Sequence, residues 1–152
     1  MNNEPSFPPQ AETGIFFDSE DIDFQLEDEG LTTSWLEGLI RREHCRLHCL
    51  NFIFCADDYL LKLNIEYLQH DTLTDIITFP YAEPPEVEGD IFISVERIRD
   101  NAQTYQVSFE QELHRVMAHG VLHLCGYGDK TAAEATLMRK KENEALEYRD
   151  SL

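Results

Sequence analysis

The chain has 152 residues, 42% of them hydrophobic, and carries a formal net charge of −18 from 30 acids against 12 bases. That length suits one compact domain around a single core. The excess of carboxylates argues against a protein that grips nucleic acid nonspecifically through cations on phosphates. The charge is uneven: residues 1–40 hold ten acids and no base, and the other 112 hold 20 acids and 12 bases. The apolar runs are too short to cross a bilayer, and the N-terminus lacks the basic and apolar segments of a secretory signal. The four cysteines, Cys45, Cys49, Cys55 and Cys125, include no C-x-x-C pair. Cys45, Cys49 and Cys55 share the parity of one strand face, and all four read as reduced core thiols of a cytoplasmic protein.

Residues 1–12 are polar with three prolines and are expected to form a disordered tail, leaving residues 13–152 as a single domain. Ile15–Phe17 and Ile22–Leu26 read as two short strands flanking an acidic turn, and the acids between Glu12 and Glu29 as a solvated rim. Thr32-Thr33-Ser34 is a hydroxyl-rich helix start, with the helix running to about His44. Cys45 to Ala56 is almost wholly apolar, as a central strand would be; His48 within it reads as a structural hydrogen-bonder. Asp57 or Asp58 can cap a helix from Tyr59 to about Leu68. Gln69 to Thr72 is a polar turn, Asp75–Pro80 a strand stopped by proline, and Ala82–Glu88 an acidic loop. Gly89–Val95 is a strand with Ile91, Ile93 and Val95 on one face and Phe92 on the other. A helix follows over Val95–Tyr105. Ser108 and Gln111 form a capping box ahead of a helix from about Phe109 to Cys125, whose inward stripe is Leu113, Met117, Gly120, Val121 and Leu124. Thr131 caps a last helix through about Glu147, with Ala132, Ala135, Leu137, Met138 and Leu146 as apolar cover. Mixed strands and helices without repeats indicate an α+β domain with one sheet.

The chemistry concentrates in Met117–Asp129. His119 and His123 are four apart, so on a helix their imidazoles share a face. Gly126 fits a C-cap and Gly128 a second bend, which can return Asp129 toward the rings. Two imidazoles and a carboxylate are ligands that Zn2+ accepts in catalytic sites, with a fourth position left open. The same residues also suit a buried helix, a glycine cap and a solvated loop aspartate. Gly120 occupies the place that zinc proteases give to a general-base glutamate, which disfavours peptide hydrolysis by that route. His114 falls on another face.

Four blocks occur in order: Leu63-Asn64 with Tyr67, Thr74-Asp75-Ile76-Ile77-Thr78-Phe79-Pro80, Gly89-Asp90-Ile91, and His119-Gly120-Val121-Leu122-His123-Leu124-Cys125-Gly126-Tyr127. In these blocks the chain resembles the YbeY family of metal-dependent endoribonucleases from about Cys49 onward. The resemblance implies an α+β single domain with an about four-stranded mixed sheet packed with about five helices, one of them a zincin-like metal helix. It implies a zinc site at that helix and the turn after it, and a cytoplasmic role in ribosomal RNA maturation and ribosome quality control. Ribosomal RNA or the ribosomal small subunit would be the partner, with ribosomal proteins suited to the acidic surface. Two positions depart from the family pattern. Asp129 stands where a third histidine is usual, a change that could broaden the metal from Zn2+ toward Mn2+ or Fe2+. Leu68 stands where an arginine is usual. The expected metal ligands are therefore His119, His123 and Asp129, and the acid–base candidates are His70, Asp75 and Asp90, although Asp75 and Asp90 could equally fix turns. A ribosome-assembly binding protein with a structural metal, and a small-molecule metallohydrolase, fit the same residues.

Overall fold

The longest strand, β2 (Arg46–Cys55), forms where nearly every residue is apolar, and it lies inside a sheet rather than at its edge. The computed structural model describes residues 12–70 and 72–152. The tail expected over residues 1–12 falls outside them except for Glu12, as does Asp71 of the polar turn. The sheet has four strands in the order β1-β2-β4-β3, with β1 spanning Gly14–Glu20, β3 Ile76–Pro80 and β4 Glu86–Ser94. β1 and β4 both run parallel to β2, and β3 pairs antiparallel with β4, so the sheet is mixed. Five helices complete the chain: α1 (Glu29–Arg42), α2 (Asp57–Leu68), α3 (Val95–Tyr105), α4 (Phe109–Leu124) and α5 (Ala132–Asp150). The expected α+β architecture holds. No helix among the described residues is long and apolar enough to cross a membrane.

Strand alternation divides the core in two. Leu50, Phe52 and Phe54 of β2, with Ile91 and Ile93 of β4, join Trp35, Leu36, Met117, Val121 and Leu122 in the larger cluster. Each fully buried side chain of this size contributes roughly 1.5–3 kcal/mol through apolar area removed from water. Cys55, Leu60 and Ile77 form the smaller cluster, with Tyr59, Leu63, Phe79 and Phe92 packed against it. All four cysteines are free. The shared face expected for Cys45, Cys49 and Cys55 is not what forms. Leu47 pairs with Val87 and Leu50 with Gly89, three steps against two, and this bulge reverses the parity of β2. Cys45 therefore packs on the larger cluster and Cys55 in the smaller one.

Several boundaries differ from the sequence reading. Ile22–Leu26 is not a strand. Asp21 and Asp28 bracket it with positive φ (63° and 60°), and the Ser19 hydroxyl donates to the Phe24 carbonyl at 2.6 Å, folding the chain back. Its apolar residues are used as a plug: Leu26 is buried, and Phe24 packs on Phe54 and Phe109. α1 starts at Glu29, ahead of the expected hydroxyl cap; Asp28 precedes it in a left-handed conformation with no side-chain cap bond. α2 starts at Asp57, with Ala56 at the cap position and no side-chain cap; the Asp57 carboxylate instead accepts from Ser94 Oγ (2.6 Å) and Arg97 Nη2 (2.8 Å). In α5 the buried stripe is Met138, Glu142 and Ala145, and Leu137, expected as cover, is exposed.

Candidate metal centre

α4 carries the two histidines and is fixed at both ends. At its start the Ser108 hydroxyl accepts from the Gln111 amide at 3.0 Å. At its end Cys125 is the cap and Gly126 takes φ 114°. The Gly126 amide donates to the His123 carbonyl (3.0 Å) and the Tyr127 amide to that of Leu122 (3.1 Å). These two bonds are a Schellman motif, which needs a residue at positive φ where Gly126 stands. The Tyr127 hydroxyl then donates to Glu43 Oε1 (2.6 Å), and Lys141 Nζ donates to Glu43 Oε2 (3.1 Å), tying the turn to α1 and α5.

Gly128 does not supply the expected bend through its backbone; it allows a close approach. A Cβ there would lie 2.8 Å from Glu134 Oε1. Glu134 is the N3 residue of a full capping box with Thr131 at the start of α5, and it also accepts from the Lys130 amide at 3.0 Å. The segment holding Asp129 is thereby laid along α5. Gly120 allows the same kind of approach on the other side of α4. A Cβ there would lie 2.9 Å from Ile91 Cδ1 and 3.0 Å from Ile76 Cδ1. The residue after His119 faces the sheet, so a general base cannot project from it into a cleft.

His119 and Asp129 approach each other, with His119 Nε2 3.4 Å from Asp129 Oδ2. The other ring nitrogen of His119, Nδ1, lies 2.8 Å from Glu142 Oε2. Nδ1 of His123 faces the Tyr127 carbonyl at 3.3 Å. A carboxylate only accepts, so the neutral His119 ring places its N–H on Nδ1 and leaves Nε2 bare, whereas the carbonyl facing His123 is too distant to fix that ring's tautomer. A bare Nε2 opposite a carboxylate oxygen is a meeting of two lone pairs. At 3.4 Å it is too long for a good hydrogen bond, and a positive charge between the atoms, a further proton or a metal ion, would be stabilised there. The separation fits the metal: ligands about 2.0–2.1 Å from a tetrahedral ion stand roughly 3.3 Å apart. Among the described residues no group of three or more His, Cys, Asp or Glu side chains is already gathered at metal-holding distances. The donor set fits a divalent ion in chemistry and in the spacing of one ligand pair.

The charges around His119 are dense. Glu142 raises the pKa of His119 above the ordinary imidazole value by accepting from it, and this outweighs burial, which lowers it. For Glu142 burial pushes upward, but the bonds from His119 and Arg115 win and hold the carboxyl below its usual range. Asp75, Glu112, Arg115, Arg139, His119 and Glu142 line one cavity of about 220 Å³. Burial raises the pKa of Asp75, opposed by the nearby His119, and burial followed by the charge of Asp75 raises that of Glu112.

The acid–base candidates from the sequence part company here. Asp75 shares the cavity with His119. Asp90 is on the other side of the sheet: it has the parity of Phe92, which packs under α2, whereas α4 lies against Ile91. Both Asp90 oxygens are engaged, by Asn51 Nδ2 (3.0 Å) and the Tyr81 hydroxyl (2.7 Å). His70 is exposed beyond the end of α2. Glu142 and Arg115 were missed by the sequence reading. Arg115 stands four residues before His119 on α4. Glu142 stands four after Met138 and three before Ala145, an acid in a core-facing stripe, and that misplacement is the signal that could have found it.

A histidine pair on a helix laid across a mixed four-stranded sheet, with a carboxylate returned by the following turn, is the framework of a hydrolase that works with a divalent ion. The model of the family described as endoribonuclease YbeY matches residues 15–149. Proteins named endoribonuclease YbeY are similar throughout: one from Amoebophilus asiaticus is 55% identical over 85% of this chain and 88% of its own. One from Flavobacterium johnsoniae is 54% identical over 83% and 91%, and one from Cytophaga hutchinsonii 48% identical over 91% and 97%. A solution structure of a Thermotoga maritima protein aligns with a TM-score of 0.65 at 27% identity, covering 89% of this chain and 88% of that one. The chain belongs to the endoribonuclease YbeY family, and is accordingly an RNA-cleaving hydrolase.

Proposed function

We propose that the protein cleaves ribosomal RNA at a divalent-metal site held by His119, His123 and Asp129, acting in the cytoplasm on the ribosomal small subunit in RNA maturation and ribosome quality control. The observation that carries the metal reading is the bare Nε2 of His119 set 3.4 Å from Asp129 Oδ2, with Nδ1 of both histidines directed to acceptors. Zn2+ suits two imidazoles and a carboxylate; the carboxylate also admits Mn2+ or Fe2+. The chemistry such an ion supplies is polarisation of a phosphate oxygen and a lowered pKa for water. Of the acid–base candidates, Asp75 is best placed to take up a proton, being half-buried in the cavity it shares with His119, where loss of solvent raises its pKa. His70, exposed beyond the end of α2, suits a contact with RNA away from the ion, and Asp90, with both oxygens engaged, suits fixing Asn51 and Tyr81. A protein of net charge −18 cannot hold a ribosomal particle through phosphates alone, and basic ribosomal proteins complement it.

The test is cleavage of structured ribosomal RNA by protein of defined metal content. Chelation and His123→Ala should each abolish turnover, and the metal should restore it only to the wild type. Cleavage that survives both treatments overturns the metal reading.

A further inference from the structure

We propose that Glu142, on the last helix, is a positioning residue for the metal site: its carboxylate fixes which nitrogen of His119 carries the proton, and so which one faces the ion. The proposal rests on the metal reading above. A neutral imidazole has one N–H and one lone pair, and a neighbour that can only accept decides where each lies. Glu142 Oε2 is 2.8 Å from His119 Nδ1. Its side chain is only 8% exposed, and its other oxygen is held by Arg115 Nη1 at 3.2 Å, with Arg139 Nη1 at 3.9 Å. The carboxylate is therefore held by two partners on α4, one at each oxygen. Nε2 is left pointing at Asp129.

His123 is built differently. Its Nδ1 faces a backbone carbonyl at 3.3 Å, beyond the usual N–H···O range of about 2.7–3.2 Å, and the residue is exposed. Glu142 thus acts on one of the two rings, and the other is an internal control. An ion pair that merely joined α4 to α5 would affect stability without choosing a tautomer. The two roles separate in the nitrogen and proton resonances of the imidazoles.

The experiment uses the full chain with metal removed, as wild type, Glu142→Gln and Glu142→Ala, at a pH where both rings are neutral in the same spectra. Folding is checked by circular dichroism. In wild type His119 should carry its proton on Nδ1. In Glu142→Ala it should shift toward Nε2–H while His123 stays unchanged. Affinity for Zn2+, and separately for Mn2+, should fall about 10- to 100-fold in Glu142→Ala, the range typical of lost partners behind a metal ligand. Glu142→Gln should lie between, since a neutral acceptor is weaker than a carboxylate. It decides the question if the alanine variant does not fold. A folded variant whose His119 tautomer and metal affinity both match wild type overturns the proposal, as does an equal shift of both rings. Wild-type protein that binds neither ion overturns the metal reading and this proposal with it, whereas normal wild-type binding beside unmoved variants overturns this proposal alone.

Discussion

On one face of the sheet, α1 and α4 bury Leu50, Phe52, Phe54, Ile91 and Ile93 to 1% exposure or less. On the other, α2 sets Leu60 against Cys55 and Ile77, while Ile65, Tyr67 and Leu68 along the same helix remain 47%, 59% and 44% exposed. The candidate metal ligands stand on the thick side. They are carried by a helix locked to the sheet by Gly120 and to its neighbours by the Tyr127–Glu43–Lys141 clamp. Few apolar contacts mean a low cost of local opening, so α2 is the more easily displaced element, while the candidate ligands are carried on the better-packed side.

The largest effect expected is in the thick core. Phe52→Ala should cost about 3–5 kcal/mol, against about 2 for Leu60→Ala on the inner face of α2, within the range for such truncations. Equal losses in chemical denaturation would break the contrast, and slower amide exchange in α4 than in α2 would sharpen it. Gly120→Ala comes next. Its new methyl group overpacks Ile91 and Ile76 and should destabilise by about 1–3 kcal/mol, with weaker metal binding as α4 lifts from the sheet.

A third test concerns pH on the thick side. His114 stands edge-on to Trp35, and burial, then the charge of Arg149, lower its pKa to about 4. The unfolded chain, with an imidazole near 6.5, binds the proton that the folded chain refuses. The stability difference between wild type and His114→Gln should therefore be constant above about pH 6.5 and shrink as pH falls toward 4. The shift sets a ceiling of about 3 kcal/mol, reduced to roughly 1 by solvent screening. Thermal melts of both proteins at pH 7 and pH 5 measure it. The smallest effect is on the thin side: Leu68→Arg adds one cation at the end of α2 and should steepen the log–log salt dependence of single-stranded RNA binding by about 0.7, with stability unchanged.

The elements most legible in the sequence were those marked by a long apolar run or by helical spacing and caps. β2, α3 and α4 fall within a residue of their expected limits, and Gly126 marks the end of α4 because few other residues accept its φ. Features decided by distant partners were not legible. Asp57 looks like a helix cap until Ser94 and Arg97 are brought to it. The parity of the cysteines holds only in a strand without a bulge. Asp90 sits at the right place in the chain for the site and on the wrong face of the sheet, which pairing register determines and composition does not. Spacing suggested the ligands on α4 and its turn, whereas Glu142 becomes visible only once α5 is docked.

The seating of Gly120 also limits what this scaffold can be turned into. Installing the glutamate of a metalloprotease beside His119 would drive a whole side chain into Ile76 and Ile91, so a peptidase lies out of reach of any single step and would require the sheet to be rebuilt first. Open positions such as Leu68 carry no such barrier, and new substrate preferences can arise there while the hydrolytic framework stays as it is.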